Sequence, residues 1–391
     1  MTVPRVLILR ALVCVCLPAS TAWVQVASLH AMPRPHLPSR GCGLRALQAC
    51  ASTAASTQPV VLEREDWTSR AEAHRMRVLE MLRGGMRVGD AKPDGTEFGG
   101  LDPANPIYNF LLDYYNIRGR KGTKRLARWS PGLNVVLRDA EYDRDVDAIN
   151  GLLARKCVPT EEGGGGLVYS ARHLAAVDAG QFAKTFGWYR SILQVTEENQ
   201  PVLNCFGLHE WAMVYRPAGA EVPASLEYQK DVLPLRVSQD EINEAVERTG
   251  IQCTHVDAIR FFAPSATPFN VHAGLEREDQ MRLENPACVH ASMDLLKIAM
   301  KIVPFIPSNL LADALEVSLA ARRLDVAASP YDASAFHLAP VKIETAEGRI
   351  EYRDQQLELM KRSAPVRTAL LRAYDDVLRD PAFLSARASS H

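Results

Sequence analysis

The sequence lacks several features that would assign it to a class at once. After residue 62, no apolar run reaches about 18 residues, the length needed to cross a bilayer, so we expect no membrane partner. No CxxC pair occurs, so neither a zinc ribbon nor a disulfide framework is indicated, and the HExxH zinc motif is missing. A basic excess is missing too, because 45 Lys and Arg residues stand against 46 Asp and Glu residues.

Acidic residues are absent from the first 62 positions, where five arginines are the only charged side chains. The apolar stretch 6–23 leads into small residues and then a Ser/Ala/Pro/Arg-rich segment, which is typical of a signal peptide followed by a transit peptide. We therefore expect residues 1–55 to be cleaved on import into a plastid, with the mitochondrion as the alternative. Cleavage leaves 40 basic residues against 46 acidic ones, which does not favour general nucleic-acid binding.

The remaining composition is that of a globular protein, with 47% hydrophobic and 23% charged residues over the whole chain. Hydrophobic periodicity predicts an α+β fold that is predominantly helical with a few strands, and we expect residues 63–391 to form a single large catalytic domain. Ser238 and Glu241 form a capping box for one helix, which Gly250 ends. Further helices are predicted at 67–83, after Asn105, and at 142–156, 179–198, 284–307, 308–326 and 353–379. We predict a strand at 251–264, a hairpin at 341–352 and a glycine-rich hinge at 161–166.

Histidines with carboxylates nearby recur in three segments of the chain. They are His209 and Glu210, His255 and Asp257, and His290 and Asp294. The first pair interrupts the apolar run "FGLHEWAMVYR", where burying two such polar groups costs several kcal/mol unless they are paired or ligated. The second pair lies on one face of the predicted strand, and the third is one helical turn apart.

Three imidazoles with carboxylates form a set that suits a metal ion or general acid–base chemistry. We predict His209, His255 and His290 as ligands of one zinc or iron ion, and Glu210, Asp257, Arg260 and Asp294 as catalytic groups. Arg260 and Asn270 flank a loop and are suited to orienting an anionic or carbonyl substrate. Each histidine taken alone also fits an ordinary core or surface position, and the 290–301 segment also fits the solvated face of an amphipathic helix.

A second candidate site is the basic segment 118–128. It contains Arg120, Lys124 and Arg128 among six basic residues and no acid, with tyrosines before it and Trp129 after it. Basic charge beside aromatic rings suits phosphate contacts with base stacking, so a nucleic-acid partner is an expectation here. The alternative is a solvated loop after a helix C-terminus, where the helix dipole favours cations.

Several long stretches resemble a family of bacterial and algal proteins that is commonly labelled 3-methyladenine DNA glycosylase. The resemblance covers roughly residues 105–375 and is carried by "NPIYNFLLDYYNIRG", "RLARWSPG", "CFGLHEWAMVYR", "CTHVDAIRFFAP", "ENPACVHASMDLLKIAMKIVPFIPSNLLAD", "LDVAASPYD" and "PVKIETAEGRIEY".

This resemblance implies a hydrolase of an N-glycosidic bond, acting on a modified purine in DNA or in a nucleoside. Asp257 or Glu210 could then activate water, while Trp211, Tyr215 and Phe262 could sandwich the base. The same residues fit two alternatives: a zinc or non-haem iron enzyme acting on a small molecule in the plastid, and a non-catalytic ligand-binding protein.

Overall fold

A computed structural model describes residues 60–87, 89, 97–141, 157–161, 164–221, 233–272 and 274–388. The predicted leader, residues 1–55, and the predicted helix at 142–156 lie outside these ranges. Thr57–His391 form one compact unit. None of the helices in the described ranges has the length and apolar character that a membrane crossing requires.

The predicted class is confirmed, because the described chain is mostly helical and carries one small sheet. Four strands lie in the order β1-β2-β4-β3, with β1 parallel to β2 and the other pairs antiparallel. The strands are β1 (Val60–Leu62), β2 (Val135–Leu137), β3 (Cys157–Thr160) and β4 (Gly166–Tyr169). The glycine-rich segment is the connection between β3 and β4, where Gly164 and Gly165 adopt a positive φ that favours glycine. It is thus a hairpin connection rather than a hinge between helices.

Twelve helices of the described ranges build the rest of the fold. The first six are α1 (Arg64–Arg83), α2 (Asn109–Asp113), α3 (Gly119–Leu126), α4 (Ala171–Glu198), α5 (Leu208–Met213) and α6 (Gln239–Thr249). The others are α7 (Val256–Ile259), α8 (Gln280–Leu283), α9 (Val289–Ile302), α10 (Ser308–Ala328), α11 (Ala346–Arg379) and α12 (Pro381–Ala388). The predicted capping box of α6 is confirmed, since Ser238 and Glu241 exchange their two hydrogen bonds.

The core lies where α9, α10 and α11 pack on one another, with α4 against α11. Helix α10 carries many alanines that are almost fully buried, and these small side chains let its neighbours approach closely. Large side chains such as Trp211, Tyr352 and Tyr374 fill the remaining space and are fully buried. Burial of each large apolar side chain contributes about 1.5–3 kcal/mol, so this core stabilises the frame that holds the polar site.

Two predicted β elements are wrong. The segment 251–264 is extended only as far as His255 and then turns into the short helix α7. The residues of the predicted hairpin, 341–352, instead lead into α11, where the Thr345 hydroxyl accepts a hydrogen bond from the Gly348 amide as a helix cap. Gly348 is needed there because a β-carbon would lie 1.9 Å from the Lys342 carbonyl oxygen. Helix α11 continues through Pro365 as one helix.

Candidate metal centre

Three different elements bring the histidines together. His209 lies in α5, His255 immediately precedes α7, and His290 lies in the first turn of α9. The His209 and His290 rings meet edge to face with centroids 4.5 Å apart, and the His290 and His255 rings stack at 4.8 Å. The three imidazoles therefore form a row with His290 in the middle.

The first group of candidate ligands is His209, His290 and Asp325. Their ligand atoms lie within 4.8 Å of one another, and His209 Nε2 is 2.6 Å from Asp325 Oδ1. Asp325 comes from α10 and is fully buried. Asp325 was not identified from the sequence. Like His209 and Glu210, however, Asp325 is an ionisable group within an otherwise apolar helix segment, which is the pattern that identified those two residues.

Arg322, one turn before Asp325 on α10, ties the first group to its surroundings. Its Nη1 donates to Glu210 Oε1 at 2.7 Å and to Asp325 Oδ2 at 2.6 Å, and its Nε donates to the Pro106 carbonyl at 3.0 Å. Burial of Glu210 in the apolar run is thus made possible by a guanidinium partner, which comes from a helix more than a hundred residues away in sequence. Arg322 was also missed by the sequence reasoning.

Burial and charge act in opposite directions on these groups. Burial would raise the pKa of the Asp325 carboxyl, but His209 and Arg322 outweigh it and hold that pKa far below its usual range. For Glu210 burial is the largest effect, and its pKa is raised in spite of Arg322. Burial lowers the pKa of His290 well below its usual value, and the neighbouring histidines lower it further. The His290 ring is therefore neutral, as a metal ligand must be.

The second group of candidate ligands is His255, Asp257 and Asp294, again with ligand atoms within 4.8 Å of one another. His255 Nε2 is 3.5 Å from Asp294 Oδ2, and neither ring nitrogen of this buried histidine has a hydrogen-bond partner among the described residues. The Lys297 ammonium is 2.6 Å from Asp294 Oδ2 and 3.6 Å from Asp257 Oδ2. The three histidines predicted for one ion thus divide between two adjacent groups.

The two groups differ in their access to solvent. Asp325 and His209 are almost completely buried, whereas the side chains of Asp257 and Arg260 are 41% and 47% exposed. Arg260 Nη2 is 3.3 Å from Asp257 Oδ1, so the predicted catalytic pair lies at the open side.

Two aromatic rings stand beside this opening. Tyr114 and Phe261 pack edge to face at 6.1 Å, and the Arg260 guanidinium lies 5.2 Å from the Phe261 ring centroid. Nearly half of the Tyr114 surface is exposed. The pKa of its hydroxyl is nevertheless raised, chiefly by burial and also by the negative charges of Glu210 and Asp325.

The residues predicted to sandwich a base lie in the core. Trp211, Tyr215 and Phe262 are all buried, which leaves no ring face accessible in this conformation. The Trp211 indole donates to the Ala328 carbonyl at 2.8 Å, and the Tyr215 hydroxyl donates to Glu247 at 2.7 Å. Their stacking role stays a prediction that this arrangement does not support.

Asn270 is buried and acts on the backbone rather than at the open side. Its amide group accepts from the Cys253 N–H at 3.0 Å and donates to the Cys253 carbonyl at 3.3 Å. These two bonds hold the extended segment that ends at His255. Asn270 therefore positions the backbone that carries the candidate metal ligand His255. The predicted role is a different one, a direct contact with the substrate.

The basic segment 118–128 is mostly helical, since α3 occupies it, so the solvated-loop alternative does not describe it. Arg120 lies 3.5 Å from Glu97, and burial lowers the pKa of the half-buried Arg128. Lys124 is exposed. Part of the positive charge is thus already satisfied within the protein.

No family model, curated protein or solved structure matches the chain significantly. The fold and the site define a predominantly helical α+β protein with a histidine–carboxylate centre that is buried at one end and open at the other. Membership of the glycosylase-labelled family stays an expectation from the sequence.

Proposed function

We propose that this protein is a metal-dependent enzyme acting on a small molecule, with a divalent ion held by His209, His290 and Asp325. The observation that carries the proposal is the convergence of two imidazoles and one carboxylate within 4.8 Å in a buried place. Two nitrogens and a carboxylate oxygen form the ligand set of catalytic zinc and non-haem iron sites, where further coordination positions stay open to water or substrate.

The charges of the first group also favour a bound cation. Two buried carboxylates, Asp325 and Glu210, share the single guanidinium of Arg322. An uncompensated charge in such a buried place is expensive, because the low-dielectric interior replaces its hydration poorly. A divalent ion beside Asp325 would add positive charge next to these carboxylates, with the neutral His290 ring as a further ligand.

The residues at the open side have the chemistry to act on a bound substrate. A divalent ion at the first group would supply Lewis acidity to a bound water molecule or to a substrate carbonyl. Asp257 would accept a proton from the attacking water, and Arg260, 3.3 Å from Asp257, would bind an anionic substrate group.

The test is the metal content of the purified protein, measured by elemental analysis without exposure to chelator. We expect at least one transition-metal ion per chain, lost in His209→Ala and in Asp325→Asn. His74→Ala is the matched control, because His74 is also buried but bonds to the Leu126 carbonyl instead. Folded wild-type protein without metal would refute the proposal.

A second candidate is hydrolysis of the base–sugar bond of a modified purine. The Tyr114–Phe261 pair favours it, because Tyr114 is nearly half exposed and an aromatic ring at an open site suits a planar base. The acidic balance expected after leader cleavage makes a free nucleoside as suitable a substrate as duplex DNA. The assay is release of free base from alkylated nucleosides and alkylated DNA, with and without chelator. Tight ligand binding without turnover would instead indicate a non-catalytic ligand-binding protein.

We also propose import into a plastid through residues 1–55, with the mitochondrion as the alternative. Fusing residues 1–62 to a fluorescent protein in algal cells would distinguish the two. Fluorescence that stays in the cytosol would contradict both destinations.

A further inference from the structure

We propose that His255, Asp257 and Asp294 form a second divalent-cation site beside the first, so that the complete centre holds two ions. This inference rests on the proposed function, which places the first ion at His209, His290 and Asp325. A nitrogen and two carboxylate oxygens whose ligand atoms lie within 4.8 Å of one another can bind manganese, iron or zinc.

His255 provides the first argument. It is only 4% exposed, and both of its ring nitrogens lack a hydrogen-bond partner within the described part of the chain. Buried polar atoms without partners are rare in proteins, and they mark places where an ion, a water molecule or a ligand can bind. The ring lies among groups that can share an ion with it, since Asp294 Oδ2 is 3.5 Å from Nε2.

Lys297 provides the second argument. Its ammonium group bridges the two carboxylates, 2.6 Å from Asp294 and 3.6 Å from Asp257. A cation is therefore favoured at this position, and the ammonium is the cation that the chain itself supplies. The Lys297 side chain is flexible and 27% exposed, so it can turn towards solvent when a divalent ion takes its place.

The relation between the two groups provides the third argument. The His290 ring belongs to the first group, and it stacks on His255 of the second with centroids 4.8 Å apart. Side-by-side groups of this kind resemble two-metal hydrolytic centres, in which ions about 3.5–4 Å apart bind a bridging oxygen. The second ion would lie at the solvent-exposed end beside Asp257, where it would contact an anionic oxygen of the substrate, such as a carboxylate or a phosphate.

The experiment is a titration of Mn²⁺ into the metal-free full chain. Calorimetry measures the number of ions bound, and electron paramagnetic resonance measures whether they are close together. Mn²⁺ is chosen because it prefers oxygen and nitrogen ligands over the thiols of the chain. We expect two ions per chain and a spin-coupled spectrum. His255→Ala and Asp257→Asn should each lose one ion, while Asp279→Asn, which breaks a similar exposed Asp–Arg contact with Arg282, should lose none.

Lys297→Gln gives a test in the opposite direction. Removing the ammonium should tighten binding of the second ion by about tenfold or more, because no positive charge of Lys297 then competes with the ion for the two carboxylates. Circular dichroism of each variant checks that it is folded, and the exposed Asp257 gives a variant with little risk of misfolding.

The outcomes separate this inference from the proposed function. One ion per chain that is lost in His209→Ala but kept in His255→Ala overturns the second site and leaves the proposed function intact. No ion in the wild type overturns both. Unchanged or weaker binding in Lys297→Gln overturns the inference that the ammonium occupies the place of a cation.

Discussion

The substitution Asp325→Asn tests the electrostatic account of the buried centre most directly. Asp325 is fully buried, and its two oxygens contact His209 Nε2 and Arg322 Nη1, each at 2.6 Å. Asparagine has almost the same shape, so the change removes the negative charge and leaves packing nearly intact. The carboxylate is the group that compensates Arg322 from within its own helix.

The expected loss follows from what the charge contacts. Breaking a buried ion pair by removing one partner costs about 3–5 kcal/mol, because the other charge stays buried without compensation. Arg322 keeps its bond to Glu210, and asparagine keeps one acceptor oxygen. We therefore expect the lower end of that range, about 3 kcal/mol of the free energy of unfolding.

Urea denaturation in the presence of chelator measures this loss without a contribution from bound metal. The midpoint should fall while the dependence on urea concentration stays unchanged. Asp354→Asn is the control, because that carboxylate lies on α11 with its side chain 69% exposed and should change stability little. A loss of less than about 0.5 kcal/mol in Asp325→Asn, the range of ordinary surface changes, would refute the reasoning.

Four further predictions concern pH, the open side, the core and the support of His255. The pKa of Asp325 is lowered by its partners, so the stability it contributes is present above the unfolded pKa of about 3.9 and is lost as pH falls. Urea midpoints should thus fall more steeply between pH 5 and pH 3 for the wild type than for Asp325→Asn, and equal slopes would contradict this sign. Phe261→Ala should raise the KM for an aromatic substrate through a loss of about 0.5–1.5 kcal/mol without destabilising the fold. Trp211→Ala should destabilise the fold by about 3–5 kcal/mol in thermal or urea unfolding, and the reverse pattern would restore the base-stacking role of Trp211. Asn270→Ala should cost about 2 kcal/mol through its two bonds to Cys253 and should weaken ion binding near His255 in the Mn²⁺ titration, whereas unchanged ion binding would show that the two bonds do not position the ligand.

Much of the fold follows from local patterns in the sequence. The α6 helix is predicted to within a residue, because its capping box and its final glycine act within the segment itself. The segment 251–264 shows where local patterns stop being informative. Buried and partly buried residues alternate as far as His255, and one helical turn then follows. A two-residue period over so few residues does not distinguish a continuous strand from an extended segment that leads into a helix.

The candidate site was only half visible in the sequence. Polar residues within apolar runs identified His209, His255 and His290, and the structure places their rings side by side. Asp325 and Arg322 were missed because pairing depends on distance in space: His209 and Asp325 are 116 residues apart in sequence, and Glu210 and Arg322 are 112 apart. No periodicity within a segment reports such a contact.

That separation links the centre to the folding of the chain. The candidate ligands at positions 209, 290 and 325 meet only in the folded chain, because they are far apart in sequence and bringing them together costs loop-closure entropy. An ion that requires all three ligands binds the native state and not the unfolded chain. At one hundred times its dissociation constant, it would add about 2.7 kcal/mol to the free energy of unfolding. For the metal-bound protein that we propose, the supply of metal would therefore regulate how much folded protein persists, independently of how much is made.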